Sequence, residues 1–187
     1  NGRFAEFLFS QNFEINYTGI DFSSELLNSA RDQLSKYSNI NLIEKDLLEL
    51  WDLDDAKFHL VVSFGGLHHI PGFDNRKKFV QKMINSLSDG GLLVITVWQF
   101  ANDDRFKKKI LSDEELLRLD IDPRGFEEND YVVNWLRGDT GHRYAHFTDD
   151  LEMKRLLGDK VEIIQTYFAD GKKGNMNKYY LIQKLVR

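Results

Sequence analysis

Three apolar runs in this chain stop abruptly at small or polar residues, and that pattern restricts the fold more than any other. They are Tyr17-Thr-Gly-Ile-Asp21-Phe22, Phe58-His-Leu-Val-Val-Ser63-Phe64-Gly-Gly-Leu67-His68-His69-Ile70-Pro71, and Asp89-Gly-Gly-Leu-Leu-Val-Ile-Thr-Val-Trp98. In an open α/β sheet, ligands bind outside the carboxyl ends of the strands. An acid closing the first run suits a ribose, and the small residues closing the second let a ligand come close to the backbone. The tips at Asp21, Asp46 and Ser63 are expected to share one crevice that takes a nucleotide-like cofactor.

Periodicity fills in the elements between those runs. Phe4, Phe7 and Leu8 have helical spacing over 3–10. A strand is expected over 15–22, and Ser23 then serves as N-cap for a helix with Leu26, Ala30 and Leu34 recurring every four residues. Ile40 to Glu44 reads as a strand ending at Lys45-Asp46. Phe58 to Phe64 is nearly continuously apolar, as in a strand covered on both faces. Asp74 opens a helix with Phe79, Val80, Met83, Ile84 and Leu87 on its buried side, and Asp89-Gly90-Gly91 turns into the strand Leu92 to Trp98. Alternating strands and helices imply a doubly wound, mostly parallel α/β sheet.

Past Gln99 the pattern changes. Residues 100–130 are charged, with leucines at 111, 116, 117 and 119, and read as an insertion holding one or two short helices. A short helix over Thr148 to Leu157 stops at Gly158. Val161 to Phe168 and Lys178 to Val186 form an antiparallel hairpin around Ala-Asp-Gly-Lys-Lys-Gly-Asn. The expected organisation is a single domain over 1–187, with 100–147 as a substrate-side region.

Composition narrows the function classes. The 187 residues carry a net charge of −5, with 42% hydrophobic and 29% charged residues, ordinary for a folded soluble domain. No apolar run is long enough to span a bilayer, so no membrane partner is expected and a cytoplasmic location is. There is no cysteine, which removes disulfides and thiolate metal sites. Acidity weighs against a nucleic-acid partner, yet Arg105-Phe-Lys107-Lys108-Lys109 and Lys172-Lys173 are local basic patches. Their plainer reading is a solvated helix face and a hairpin tip.

The three runs together resemble the class I S-adenosylmethionine-dependent methyltransferases over nearly the whole chain. That family opens with a strand and a glycine-rich loop, and Asn1-Gly2-Arg3-Phe4 resembles the tail of the loop. The opening strand and most of the loop are missing from this sequence. Such a strand is paired on both sides, so a preceding segment, a rearranged sheet or a strand from a second copy is expected. Val94-Ile-Thr-Val97-Trp98-Gln99-Phe100, Asp130-Tyr131-Val132-Val133-Asn134-Trp135 and Arg143-Tyr144-Ala145-His146-Phe147-Thr148, in that order, resemble the tRNA wobble-uridine methyltransferases, which esterify a carboxymethyl group on the anticodon uridine. Ala145 stands where that family usually has a second tyrosine.

The resemblance implies S-adenosylmethionine as cofactor and the tRNA anticodon loop as partner, with a small activating subunit in some relatives. Asn1 and Gly2 would belong to the cofactor loop. Asp21 would hold the ribose hydroxyls, with Phe22 on the adenine; its other reading is a helix-capping acid. Asp46 and Leu47 would read the adenine edge, though surface acids crowd nearby. Ser63, Phe64 and Gly65 would flank the methionine end. His68 is a candidate catalytic residue, and a buried structural histidine is an equal reading. No metal is expected at His68-His69, since adjacent histidines diverge.

A carboxylate acceptor is already ionised at neutral pH, with a solution pKa of about 4, so it needs placement rather than a base. Arg143 is the candidate clamp, since guanidinium holds carboxylate or phosphate through paired bonds. Trp98 and His146 are candidate base contacts, and Arg105 and Lys109 candidate substrate cations. Two alternatives stand beside this: a small-molecule carboxyl or oxygen methyltransferase, and a non-catalytic methyltransferase-like binding protein.

Overall fold

The computed structural model describes residues 1–46, 48, 57–135 and 141–186. The chain divides into two compact units, Asn1–Asp52 and Leu53–Arg187.

In the first unit, helix α1 (Arg3–Ser10) precedes strand β1 (Tyr17–Asp21), helix α2 (Ser24–Leu34) and strand β2 (Ile40–Glu44). β1 and β2 are parallel, with Tyr17 opposite Ile40 and Asp21 opposite Glu44. The intervening helix makes this parallel pairing feasible. Ser23 caps α2 as expected, its hydroxyl accepting the Leu26 N–H at 3.2 Å. The buried stripe of α2 is Leu27, Ala30 and Leu34, while Leu26 is 43% exposed. Leu26 sits one residue off the stripe, because a strict four-residue spacing drifts from the 3.6-residue turn. Gly2 starts α1 at φ 77°, and a Cβ there would come within 3.0 Å of Leu34 Cδ1 and 3.3 Å of Ala30 Cα. Glycine therefore lets α1 begin directly against α2.

The second unit begins with β3 (Phe58–Ser63), α3 (Phe73–Ser86) and β4 (Leu87–Trp98). Two short helices follow, α4 (Asp104–Lys107) and α5 (Asp113–Arg118), then strands β5 (Asp130–Trp135) and β6 (Gly141–His146). Helix α6 (Asp150–Leu157) and strands β7 (Val161–Ala169) and β8 (Asn177–Lys184) complete it. The main sheet runs β3-β4-β8-β7. β3 is parallel to β4, and the terminal hairpin is antiparallel, so the sheet is mixed as expected.

Several details differ from the sequence expectation. β3 is not covered on both faces, since Leu60 is 41% exposed. The glycine turn at 89–91 lies inside β4 as a bulge: Phe58 pairs with Leu87, and Leu60 already with Leu92. Leu87 is buried as predicted, but as the first residue of β4 rather than in α3. Within the expected 100–147 substrate-side region, β5 and β6 pair antiparallel, two strands that the sequence reading did not assign. Their two faces alternate: Val133 and Ala145 pack with Phe100, while Val132 packs with Leu111 and Leu116.

Helix α3 buries Phe79, Val80, Met83 and Ile84, and also Arg76 at 1% exposure. It packs on β3, β4 and α6. Full burial of each such apolar side chain contributes about 1.5–3 kcal/mol. No helix among the described residues is long and apolar enough to cross a membrane.

Candidate functional site

In the first unit, Asp21 and Asp46 close neighbouring parallel strands, and the Lys45 N–H donates to the Asp21 carbonyl at 3.0 Å. One carboxylate oxygen of Asp21 accepts the Ser23 N–H at 2.9 Å, and one of Asp46 accepts the Leu48 N–H at 2.8 Å. Among the described residues neither second oxygen has a hydrogen-bond partner. Capping and ligand binding are thus compatible at Asp21. Phe22 is 72% exposed beside it. Asn1 is exposed and accepts from Arg3 Nε at 3.2 Å. Leu47 lies outside the described residues.

In the second unit, β3 ends at Ser63. Phe64 is exposed and packs toward Tyr179, ring centres 6.3 Å apart. Gly65 takes φ 73°, and its N–H donates to Thr96 Oγ1 at 2.9 Å, which holds the turn against β4. A residue with a side chain would be strained there. His68 follows in a single helical turn (Leu67–His69), buried, 4.1 Å from the His69 ring and 5.3 Å from Trp98. Burial first, then the neighbouring His69, pushes His68 down to about 3. It is therefore neutral at any ordinary pH, and its Nδ1 has no partner among the described residues.

Beside it an aromatic surface gathers from separate segments. Trp98 meets Phe106 at 4.9 Å and Trp135 at 6.1 Å, both edge to face. Arg143 lies over Trp135 at 4.6 Å. Arg105 and Lys109 stand 5.6 and 5.8 Å from the Phe106 ring centre. Arg105 is also paired with Asp103, its Nε 3.0 Å from Oδ1. Four expected substrate residues, Trp98, Arg105, Lys109 and Arg143, thus belong to one surface.

His146 does not belong to it. Its ring is 1% exposed, with Nδ1 2.7 Å from Asp130 Oδ1 and Nε2 2.6 Å from Glu152 Oε2. Both ring nitrogens are engaged inside the protein, which leaves no edge to contact a base. Arg76 joins the same cluster, its Nε donating to Glu152 and its Nη2 to Glu127, each at 2.8 Å. Burial works against the Arg76 charge, but these two carboxylates outweigh it and hold its pKa above the usual value. Glu127, Asp130 and His146 have ligand atoms within 4.8 Å of one another, a spacing that suits a cation. The Arg76 guanidinium already supplies that positive charge.

Three contributors escaped sequence reasoning. Trp135 and Phe106 were inside quoted segments but received no role. The signal for Trp135 is its place diagonal to Arg143 across the hairpin, where Val133 faces Arg143. Arg76 stands three, four and seven residues before Phe79, Val80 and Met83, on their helical stripe.

Comparison with known proteins now bears on this arrangement. Residues 1–91, just under half of the chain, match the family described as a methyltransferase domain. A protein of Encephalitozoon cuniculi, provisionally named a methyltransferase, is 32% identical over 129 residues, covering 68% of this chain and 53% of its own. The chain thus spans about half the length of that relative. A methyltransferase from Methanosarcina mazei, described as S-adenosylmethionine-dependent, superposes with a TM-score of 0.68 at 21% identity, over 91% of this chain and 82% of its own. This is the class I S-adenosylmethionine-dependent methyltransferase fold. The N-methyltransferase NodS from Bradyrhizobium japonicum, solved with S-adenosyl-L-homocysteine, shares it with a TM-score of 0.63 at 15% identity, over 100% of this chain and 74% of its own. In this methyltransferase fold the mixed sheet ends in the antiparallel hairpin β7–β8, as the sequence pattern anticipated.

Proposed function

We propose that the chain is an S-adenosylmethionine-dependent methyltransferase whose acceptor is a carboxylate on a planar base, specifically the carboxymethyl group of a wobble uridine in tRNA. The observation that carries this reading is Arg143 lying over Trp135 beside Trp98. An aromatic platform suits a base, and a guanidinium suits a carboxylate through paired donors. A neutral His68 fits an acceptor that has no proton to lose.

The cofactor supplies an activated sulfonium methyl. A carboxylate oxygen placed in line would take that methyl while the electron pair of the broken methyl–sulfur bond stayed on sulfur, which would leave a methyl ester and S-adenosylhomocysteine. Asp21 and Asp46, each with one carboxylate oxygen unpartnered among the described residues, suit the ribose and the adenine edge. Ser63, Phe64 and Gly65 suit the methionine end, where the glycine admits a close approach. Arg143 orients the acceptor without any proton transfer.

Support for an RNA acceptor comes from charge placement. The Gln99 N–H donates to the Met176 carbonyl at 2.9 Å, which ties the start of the 100–109 segment to the β7–β8 turn. Lys173 also acts on Asp103, next to Arg105. The two basic stretches of the sequence are therefore neighbours on a molecule whose net charge is −5.

Methyl transfer from labelled cofactor to tRNA bearing carboxymethyluridine tests the reading. Alkali-labile label in the tRNA supports it. Label only in small carboxylic acids would move the assignment to a small-molecule enzyme, and no heat on titrating S-adenosylhomocysteine would leave a non-catalytic binding protein.

A further inference from the structure

β6 carries two kinds of residue on its two faces. Tyr144 and His146 share the inner face, and both reach Asp130 Oδ1, at 2.6 and 2.7 Å. Arg143 stands on the other face, opposite Val133 and over Trp135. The inner face continues inward without a break. His146 Nε2 meets Glu152 of α6, Glu152 accepts from Arg76 of α3, and Arg76 Nη1 donates to the Ile70 carbonyl at 3.2 Å. Ile70 immediately follows His69, whose Nδ1 lies 3.4 Å from the Tyr144 carbonyl, so the chain closes on itself.

The imidazole ring reaches Asp130 Oδ1 and Glu152 Oε2 from its two opposite nitrogens. A glutamine amide carries both its N–H groups on one nitrogen, so it does not span the two carboxylates in this way. The hydrophobic contacts of the hairpin are made by Val132, Val133 and Ala145. Those side chains tolerate small slides, whereas hydrogen bonds to charged groups fix direction.

We infer that His146 is a positioning residue: the Asp130–His146–Glu152 bridge, anchored by Arg76, sets the β5–β6 hairpin and thereby aims Arg143 at the methyl acceptor. The aiming rests on Arg143 being the acceptor clamp, while the bridge itself does not.

Full-chain protein carrying His146→Gln is compared with wild type by hydrogen–deuterium exchange, by S-adenosylhomocysteine calorimetry and by acceptor kinetics. Exchange in 130–135 and 141–146 should quicken by about tenfold or more while β4 and β8 stay protected. Acceptor KM should rise by about tenfold with a smaller change in kcat, and S-adenosylhomocysteine affinity should stay within about twofold. Unchanged hairpin exchange overturns the proposal, as does protection lost equally from β4 and β8. Where His146→Gln does not fold, Tyr144→Phe removes one bond to Asp130 and is judged by the same readouts. If Arg143→Ala leaves acceptor KM unchanged while His146→Gln still loosens the hairpin, the acceptor assignment falls and the bridge stands.

Discussion

The guanidinium of Arg143 lies 4.6 Å over the ring of Trp135, two residues brought face to face by the β5–β6 pairing. Arg143 is exposed, so a guanidinium held over the indole remains open to an anion from solvent. Arg143→Lys keeps the charge but loses the fork and the flat contact. It should lower kcat/KM for a carboxylate acceptor by about tenfold to a hundredfold, with cofactor affinity unchanged. Trp135→Leu should cost less, about 0.5–1 kcal/mol, since the pair is near the surface. Steady-state kinetics with both variants checks this; a fully active lysine variant would remove the carboxylate clamp.

Asp21→Ala should keep the fold and weaken S-adenosylhomocysteine binding by about tenfold or more, the loss expected for a bond to a charged group. The Ser23 N–H loses its acceptor as well, which costs about 1 kcal/mol, the usual net worth of one hydrogen bond. Calorimetry and a thermal melt separate the two effects. Unchanged affinity would return Asp21 to a purely capping role.

Acid should destabilise the protein earlier than carboxylates alone would. His68 titrates near its ordinary 6.5 when unfolded but only at about 3 when folded, because burial and His69 oppose its charge. The unfolded chain therefore binds the extra proton, and stability is full above 6.5 and falls as pH drops toward 3. The slope is at most about 1.4 kcal/mol per pH unit for one proton. Glu127, held below its ordinary 4.5 by the Phe73 N–H and then by Arg76, adds loss of the same sign at lower pH. Denaturant melts from about pH 7 to about pH 5 should show His68→Phe losing nearly one proton of slope.

Gly91→Ala should destabilise by about 1–3 kcal/mol, the usual cost of forcing atoms into a filled site. A Cβ there would lie 2.8 Å from the Ser88 carbonyl oxygen and 3.0 Å from that of Phe58, both main-chain atoms within the bulge. Gly125→Ala meets nothing within 4 Å and serves as the control. Paired thermal melts decide it.

The order of strands and helices was legible because each apolar run ends at a residue with one clear local job. Ser23 as a cap and Gly158 at a helix end are decisions made within a few residues of chain. The pairing of β5 and β6 was hidden because both are short and mix apolar with polar and charged residues, and their apolar partners Phe100, Leu111 and Leu116 lie elsewhere in the chain. Site residues divided along the same line. Trp98, half-buried, and Arg143, exposed, take their places from the strands they sit on. His146 looked like one of them, but its partners Asp130 and Glu152 are set by tertiary packing of β5 and α6, which local pattern does not contain. Exposure of Leu60 was equally non-local, since a strand's cover is supplied by other elements.

The buried Arg76 has a consequence for the order of assembly. Its carboxylate partners are 51 and 76 residues further along the chain. A guanidinium that left water before meeting them would carry an uncompensated charge into an apolar layer, at a cost of several kcal/mol. Helix α3 is therefore expected to dock late, after the C-terminal half has brought Glu127 and Glu152 into reach, and nascent chains that end before α6 should keep it hydrated.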